Sequence, residues 1–171
     1  ENLGMKDGFF LQNEENQLKV IRMIRKYQPE IVFANAVSDR HIDHGRAAKL
    51  TADACFLSGL RKIETFDDDN KPQQPWRPKN IYHYIQDNFL KPELIVDITE
   101  EWDLKMQSIK AFKSQFYDPA SGEPETPISS RDFLEFLAAR ALNFGRTIGV
   151  RYAEGFTTAR TPGVDDLMLL K

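Results

Sequence analysis

Apolar residues recur at helical spacing from the start of the chain, where Leu18, Ile21, Ile24 and Tyr27 mark one face of a helix. Asn13 can cap that helix by accepting from Glu15 or Asn16, and Pro29 stops it. An unbroken apolar run, Ile31-Val32-Phe33-Ala34, then reads as a buried strand. A stretch rich in Ala and Leu, from Gly45 toward Ser58, predicts a second helix, which Asp43 can cap and Gly59 can end in a left-handed conformation. Residues 67–79 carry Pro72, Pro75 and Pro78 and form a loop. Residues 81–86 and 94–98 are two further strands that could pair with the first. Thr99 can cap a helix whose first turn holds Glu100 and Glu101 and whose inward stripe is Trp102, Met106, Ile109 and Phe116. Residues 117–127 have the composition of a mobile surface loop. Ser129 with Asp132 predicts a capping box for a last long helix carrying Phe133, Leu137, Ala141, Phe144 and Ile148.

Helices alternating with strands favour an α/β domain built from crossover units. A chain of 171 residues has room for one such domain with a sizeable core. Residues 1–8 read as a loop of turn residues rather than a first strand, and Glu1 is not an initiator methionine, so an amino-terminal portion is expected to be absent.

Charge and composition narrow the function classes. A net charge of −3, from 23 basic and 26 acidic residues, leaves no basic stripe for a nucleic acid backbone. No run approaches the about 20 apolar residues of a membrane span, and no signal-peptide pattern opens the chain, so a cytoplasmic protein is expected. The single cysteine, Cys55, excludes an internal disulfide. It sits among Ala52, Ala54, Phe56 and Leu57, a setting for packing rather than for a catalytic thiolate.

Chemistry concentrates after the first strand, in Asp39-Arg40-His41-Ile42-Asp43-His44-Gly45. Here two imidazoles bracket a carboxylate, so one could bind a metal while the other, oriented by Asp43, moves protons near neutral pH. Asp43 could equally serve as a helix cap and nothing more. In an open α/β sheet, ligands bind beyond the carboxyl ends of the strands, which is where this stretch falls. Two histidines do not complete a catalytic zinc site, which takes three protein ligands and keeps an open position. The third histidine, His83, alternates with Tyr82 and Tyr84 on a strand and is expected to be buried with a satisfied hydrogen bond. No glycine-rich phosphate pattern supports a nucleotide-binding domain.

The run Arg40-His41-Ile42-Asp43-His44-Gly45-Arg46-Ala47-Ala48 resembles the second signature of the LmbE-like (PIG-L) zinc-dependent N-acetylglucosaminyl deacetylases. Residues 27–32, 113–117, 124–129 and 152–156 resemble, in order and spacing, the bacillithiol-biosynthesis branch of that family, so the resemblance covers nearly the whole chain. The family's first signature, Ala-His-Pro-Asp-Asp-x-Glu, does not occur in the sequence, and Ile42 stands where a proline is usual.

The resemblance implies a single LmbE-like domain over residues 1–171, a Rossmann-like, mostly parallel sheet flanked by helices, with its first strand or strands lying before Glu1. It implies His44 as a zinc ligand, His41 as the group that stabilises the oxyanion and protonates the leaving amine, and Asp43 as the residue that orients His41. Zinc, with iron(II) as a possible substitute, would assist hydrolysis of the N-acetyl group of an N-acetylglucosaminyl conjugate, with N-acetylglucosaminyl-malate as the substrate. Arg40 and Tyr152 are lesser candidates for substrate contact, Arg40 standing equally as a surface ion pair and Tyr152 as a ring covering the core. The expected partners are that small molecule and further copies of the chain in a homo-oligomer, with neither nucleic acid nor membrane. Without the upstream signature the isolated chain is expected to be an incompetent enzyme. The alternative is a catalytically inactive α/β sugar-binding module.

Overall fold

The computed structural model describes every residue except Ser121 and Glu123. The expected loop over residues 117–127 therefore lies in part outside the described residues. The elements are α1 (Glu14–Tyr27), β1 (Ile31–Ala34), α2 (Ile42–Leu57), β2 (Asn80–Tyr84), β3 (Leu94–Asp97), α3 (Trp102–Lys110), α4 (Arg131–Ile148), β4 (Ala153–Thr158) and a short 3-10 turn, Leu167–Leu169. The four strands form one sheet in the order β1-β2-β4-β3.

The α/β class holds, and the expectation of a mostly parallel sheet is corrected to a mixed one. Strand β1 runs parallel to β2 with Phe33 opposite Tyr82, whereas β2 runs antiparallel to β4 with Tyr84 opposite Phe156. The Glu93 N–H donates to the Phe156 carbonyl and the Ile98 N–H to the Tyr152 carbonyl, opposite directions along the chain that make β3 antiparallel to β4. Strand β3 thus pairs with β4 and not with β1. Strand β4 escaped the hydrophobic pattern because Glu154 and Gly155 interrupt it, and its burial comes from strands on both sides.

The chain forms two compact units, Glu1–Leu94 with Phe156–Gly163, and Ile95–Gly155 with Val164–Lys171. In the first, Ile21 and Ile24 of α1 bury against Ala54 and Cys55 of α2, with Leu18, Val32, Leu57, Ile63, Trp76 and Ile81 packed around them. Asn13 caps α1 by accepting from the Asn16 N–H at 3.0 Å, and Gln28 ends it in the left-handed region at φ 47°. The Cys55 thiol is buried, and burial pushes its pKa up to about 11, so it packs and is a poor nucleophile. Gly59 does not end α2 in a left-handed turn, because Ser58 closes the helix in right-handed geometry. A Cβ at Gly59 would meet the Arg77 side chain at 2.5 Å and displace it.

In the second unit, α3 begins at Trp102 without a side-chain cap. Thr99 is engaged elsewhere, donating to Asp97 Oδ1 at 2.8 Å and accepting from the Tyr152 N–H at 3.1 Å. Phe116 lies beyond the end of α3 and stacks on Phe133, with ring centroids 5.9 Å apart. Ser130, not Ser129, caps α4 by accepting from the Phe133 N–H at 3.2 Å, and Gly149 ends it at φ 73°.

Asp97 takes part in a contact that titrates. Hydrogen bonding to Lys171 and Thr99 lowers its carboxyl from an ordinary 3.8 to about 2. The contribution to stability is therefore whole above the ordinary value and is lost as the pH falls through the folded one. We expect Asp97→Asn to unfold at a lower temperature than the parent by a constant gap down to about pH 4, and the gap to close toward about pH 2. Thermal unfolding followed by circular dichroism across that range checks this, and a gap independent of pH would contradict it.

Among the described residues no helix is long and apolar enough to cross a membrane.

Candidate functional site

The parallel pairing of β1 and β2 brings the carboxyl ends of both strands to one edge. Residues 35–41 leave β1 there and residues 85–88 leave β2, so the two connections meet. The Gln86 side chain ties them: its Oε1 accepts from the Ala36 N–H at 2.9 Å and from Asn35 Nδ2 at 3.3 Å. His83 is buried on β2 with Nδ1 2.9 Å from the Asn35 carbonyl, the satisfied hydrogen bond its alternation predicted.

Helix α2 starts at Ile42, three positions before the sequence pattern placed it. The cap is His41, whose Nδ1 accepts from the Asp43 N–H at 3.2 Å. The histidine stretch is thus the first turn of a helix, with His41 and His44 adjacent and their ring centroids 5.4 Å apart. Because Nδ1 of His41 is an acceptor, the proton of its neutral ring sits on Nε2.

The carboxylate expected to orient His41 is engaged elsewhere. Asp43 Oδ2 accepts from the Gly8 N–H at 2.5 Å and Oδ1 from Arg46 Nη1 at 3.2 Å. Burial raises its pKa, but the Gly8 N–H and Arg46 outweigh that effect and hold it below the usual carboxylate range. The correction to the sequence reading has a simple geometric cause. On the first turn the Asp43 backbone faces the capping ring, so its N–H positions His41 while its carboxylate holds residues 6–9 against α2.

His44 has the carboxylate partner. Its Nδ1 is hydrogen-bonded to Asp39 Oδ2, and the Asp39 side chain is fully buried while His44 is about a third exposed. Asp39 Oδ1 accepts from the backbone N–H of Asp87 at 3.1 Å and of Asn88 at 2.6 Å. Burial raises the Asp39 carboxyl, yet the Asn88 N–H, His44 and the Arg40 N–H outweigh it and lower its pKa. On the other side of the ring, Gln86 Nε2 lies 3.5 Å from His44 Nε2.

Asp39 and Gln86 were not among the site residues read from the sequence. One signal could have found Gln86: it follows a strand parallel to β1, and ligands gather past the carboxyl ends of such strands. Arg40 pairs with Asp87 at 2.5 Å, which realises the ion-pair reading and joins the two connections again. Tyr152 belongs to the second unit, where its ring stacks on Trp102 with centroids 4.3 Å apart.

The donor set can be tested against the expected metal. His44 fits as one ligand, because a ligating imidazole gives one N–H to a carboxylate and keeps a lone pair on its other nitrogen. A full set is not assembled: among the described residues no group of three His, Cys, Asp or Glu side chains could hold a metal ion. The residues fit one corner of a metal centre.

No family model matches the chain. Solved structures do. A conserved protein of Thermus thermophilus, TT1542, is 28% identical with a TM-score of 0.82, the match covering 97% of this chain and 68% of that one. The N,N'-diacetylchitobiose deacetylase of Pyrococcus horikoshii is 28% identical with a TM-score of 0.72, covering 98% of this chain and 61% of that one. This chain shares its fold. The 4-carboxy-2-hydroxymuconate hydratase GalB of Pseudomonas putida KT2440, 16% identical with a TM-score of 0.72 over 98% of this chain and 67% of that one, shows the fold alone. One fold thus carries two chemistries, and the reaction must be argued from the site. This chain spans about two thirds of the length of the proteins it matches.

Proposed function

We propose that this chain is the larger part of a zinc-dependent de-N-acetylase that removes the acetyl group from an N-acetylglucosaminyl conjugate, with N-acetylglucosaminyl-malate of bacillithiol biosynthesis as its substrate. The observation that carries the reading is the pair of imidazoles on the first turn of α2, one backed by a buried carboxylate and the other holding its proton at Nε2. The 28% identity to a diacetylchitobiose deacetylase supports it from outside the site.

Amide hydrolysis needs a polarised carbonyl, charge stabilisation for the oxyanion and a proton for the departing amine. Zinc, or iron(II), held through His44 Nε2 and further ligands, would supply the Lewis acidity. His41 would supply the donor: its Nε2–H is fixed in direction because Nδ1 is tied to the Asp43 N–H. The start of α2 adds the positive end of its helix dipole, which favours negative charge at this edge. Arg40 and Tyr152, each engaged with a protein partner, are weaker candidates for holding the sugar.

One observation favours the alternative of an inactive sugar-binding module, namely that the described residues do not bring three metal ligands together. The two readings separate on products. Incubating the natural protein with zinc and N-acetylglucosaminyl-malate should release acetate and free amine in equal amounts. The 171-residue chain under the same conditions should release less by roughly 10²-fold or more, since it offers one histidine ligand. Sugar bound and recovered intact with the natural protein would establish the binding module and overturn the enzyme.

A further inference from the structure

We propose that Asp39 is the positioning residue that sets the tautomer of His44, placing the ring proton on Nδ1 and the lone pair on Nε2. The proposal deepens the deacetylase reading and rests on it only for its consequence, the direction in which His44 offers a metal ligand.

Both sides of the ring specify the same tautomer. Asp39 Oδ1 is committed to the N–H groups of Asp87 and Asn88, which leaves Oδ2 facing His44 Nδ1. A carboxylate oxygen can only accept, so Nδ1 must donate. On the far side, the Gln86 amide is oriented by two donors, the Ala36 N–H and Asn35 Nδ2, which bind its oxygen and turn its NH₂ toward His44 Nε2. A proton on Nε2 would face that NH₂ donor to donor.

The locked orientation of Asp39 makes a single-atom exchange informative. In Asp39→Asn the oxygen stays on the Asp87 and Asn88 N–H groups, because a backbone N–H has no use for a second donor. The new NH₂ then faces His44 Nδ1, and the ring must accept there and carry its proton on Nε2. Shape and the bond at Nδ1 are kept, the Gln86 NH₂ loses its acceptor, and the lone pair moves to the buried side of the ring. Such an inversion is distinct from a loss of packing, which would leave the proton where it was.

The experiment is long-range ¹H–¹⁵N correlation of the imidazoles in the ¹⁵N-histidine-labelled 171-residue chain in zinc-free buffer at about pH 8, above the imidazole range. His44 is assigned by the signal lost in His44→Gln. The parent should show the Nδ1–H form, and Asp39→Asn the Nε2–H form, with the His83 pattern unchanged as a control on the fold. An Nε2–H form in the parent overturns the proposal, and so does an unchanged tautomer in a folded Asp39→Asn. Should the variant not fold, the parent spectrum alone still decides whether the tautomer is the one the Asp39 carboxylate requires. In the natural protein the same exchange should weaken zinc binding about 10–100-fold, the usual scale for losing the partner behind a ligating histidine. An inverted tautomer with undiminished zinc affinity would leave Asp39 as assigned and count against His44 Nε2 as the metal-facing nitrogen. Failure of deacetylation would count against the reaction and leave the tautomer untouched.

Discussion

In the natural protein, His44→Ala is expected to lose zinc and turnover together, whereas His41→Ala keeps the metal and loses roughly 10²–10⁴-fold in kcat, the usual scale of an acid–base contribution. The difference follows from how each ring is held. His44 is backed at Nδ1 by the fully buried Asp39, which leaves the lone pair on Nε2, as in a ligating imidazole. His41 is held by the Asp43 N–H on Nδ1, so its remaining nitrogen is a directed donor. Metal analysis of each purified variant beside its acetate-release rate separates the roles. Equal zinc loss in both would make His41 a second ligand, and a His41→Ala variant with full turnover would remove it from the chemistry.

The largest effect on stability is expected at Arg25. This side chain is 3% exposed, and its guanidinium donates to the carbonyls of Ser58, Leu60 and Ile63 at 3.0, 2.9 and 2.7 Å and to the Thr65 hydroxyl at 2.9 Å. Those acceptors belong to the turn that leaves α2, so one residue of α1 fastens the end of the neighbouring helix. Burial lowers its pKa, the desolvation cost of a charge held by dipoles alone. Arg25→Met keeps much of the volume and removes every donor, leaving these acceptors facing apolar surroundings. We expect a loss of about 3–5 kcal/mol in urea unfolding, and only partial recovery in Arg25→Lys, because an ammonium cannot span the same fork. A loss under about 1 kcal/mol would mean that water replaces the guanidinium.

Arg25 did not stand out in the sequence. It stands four positions after Ile21 and one after Ile24, a place on the buried side of α1 that the apolar stripe of the sequence did not include. What the period could not tell is the set of partners, which lie 33 to 40 positions along the chain. The site divides in the same way. The two histidines and their place past β1 followed from local pattern, while the carboxylate that meets an imidazole is Asp39, and the imidazole it meets is His44 rather than His41. Both carboxylates are close in sequence to both rings, and spacing along a chain does not say which oxygen faces which nitrogen.

Elements whose signals are local came directly from the order of residues: the Asn13 cap, helix α1, the long helix carrying Phe133 to Ile148, and strand β1, although Ile31 and Phe33 are about half exposed where a buried strand was expected. Their determinants lie within a turn or two, where periodicity and capping act. Strand β4 needed neighbours to become a strand, since Gly155 has no side chain to pack and β2 and β3 supply its hydrogen bonds. The sequence by itself determined an α/β chain with two histidines at a strand's carboxyl edge. Which nitrogen of His44 carries the proton is set across the fold, because Asp39 is fixed by Asp87 and Asn88, nearly fifty positions away, and Gln86 is fixed by Ala36. A proton's place on an imidazole depends on the acceptor that meets it, and here the fold alone brings that acceptor and its supports together.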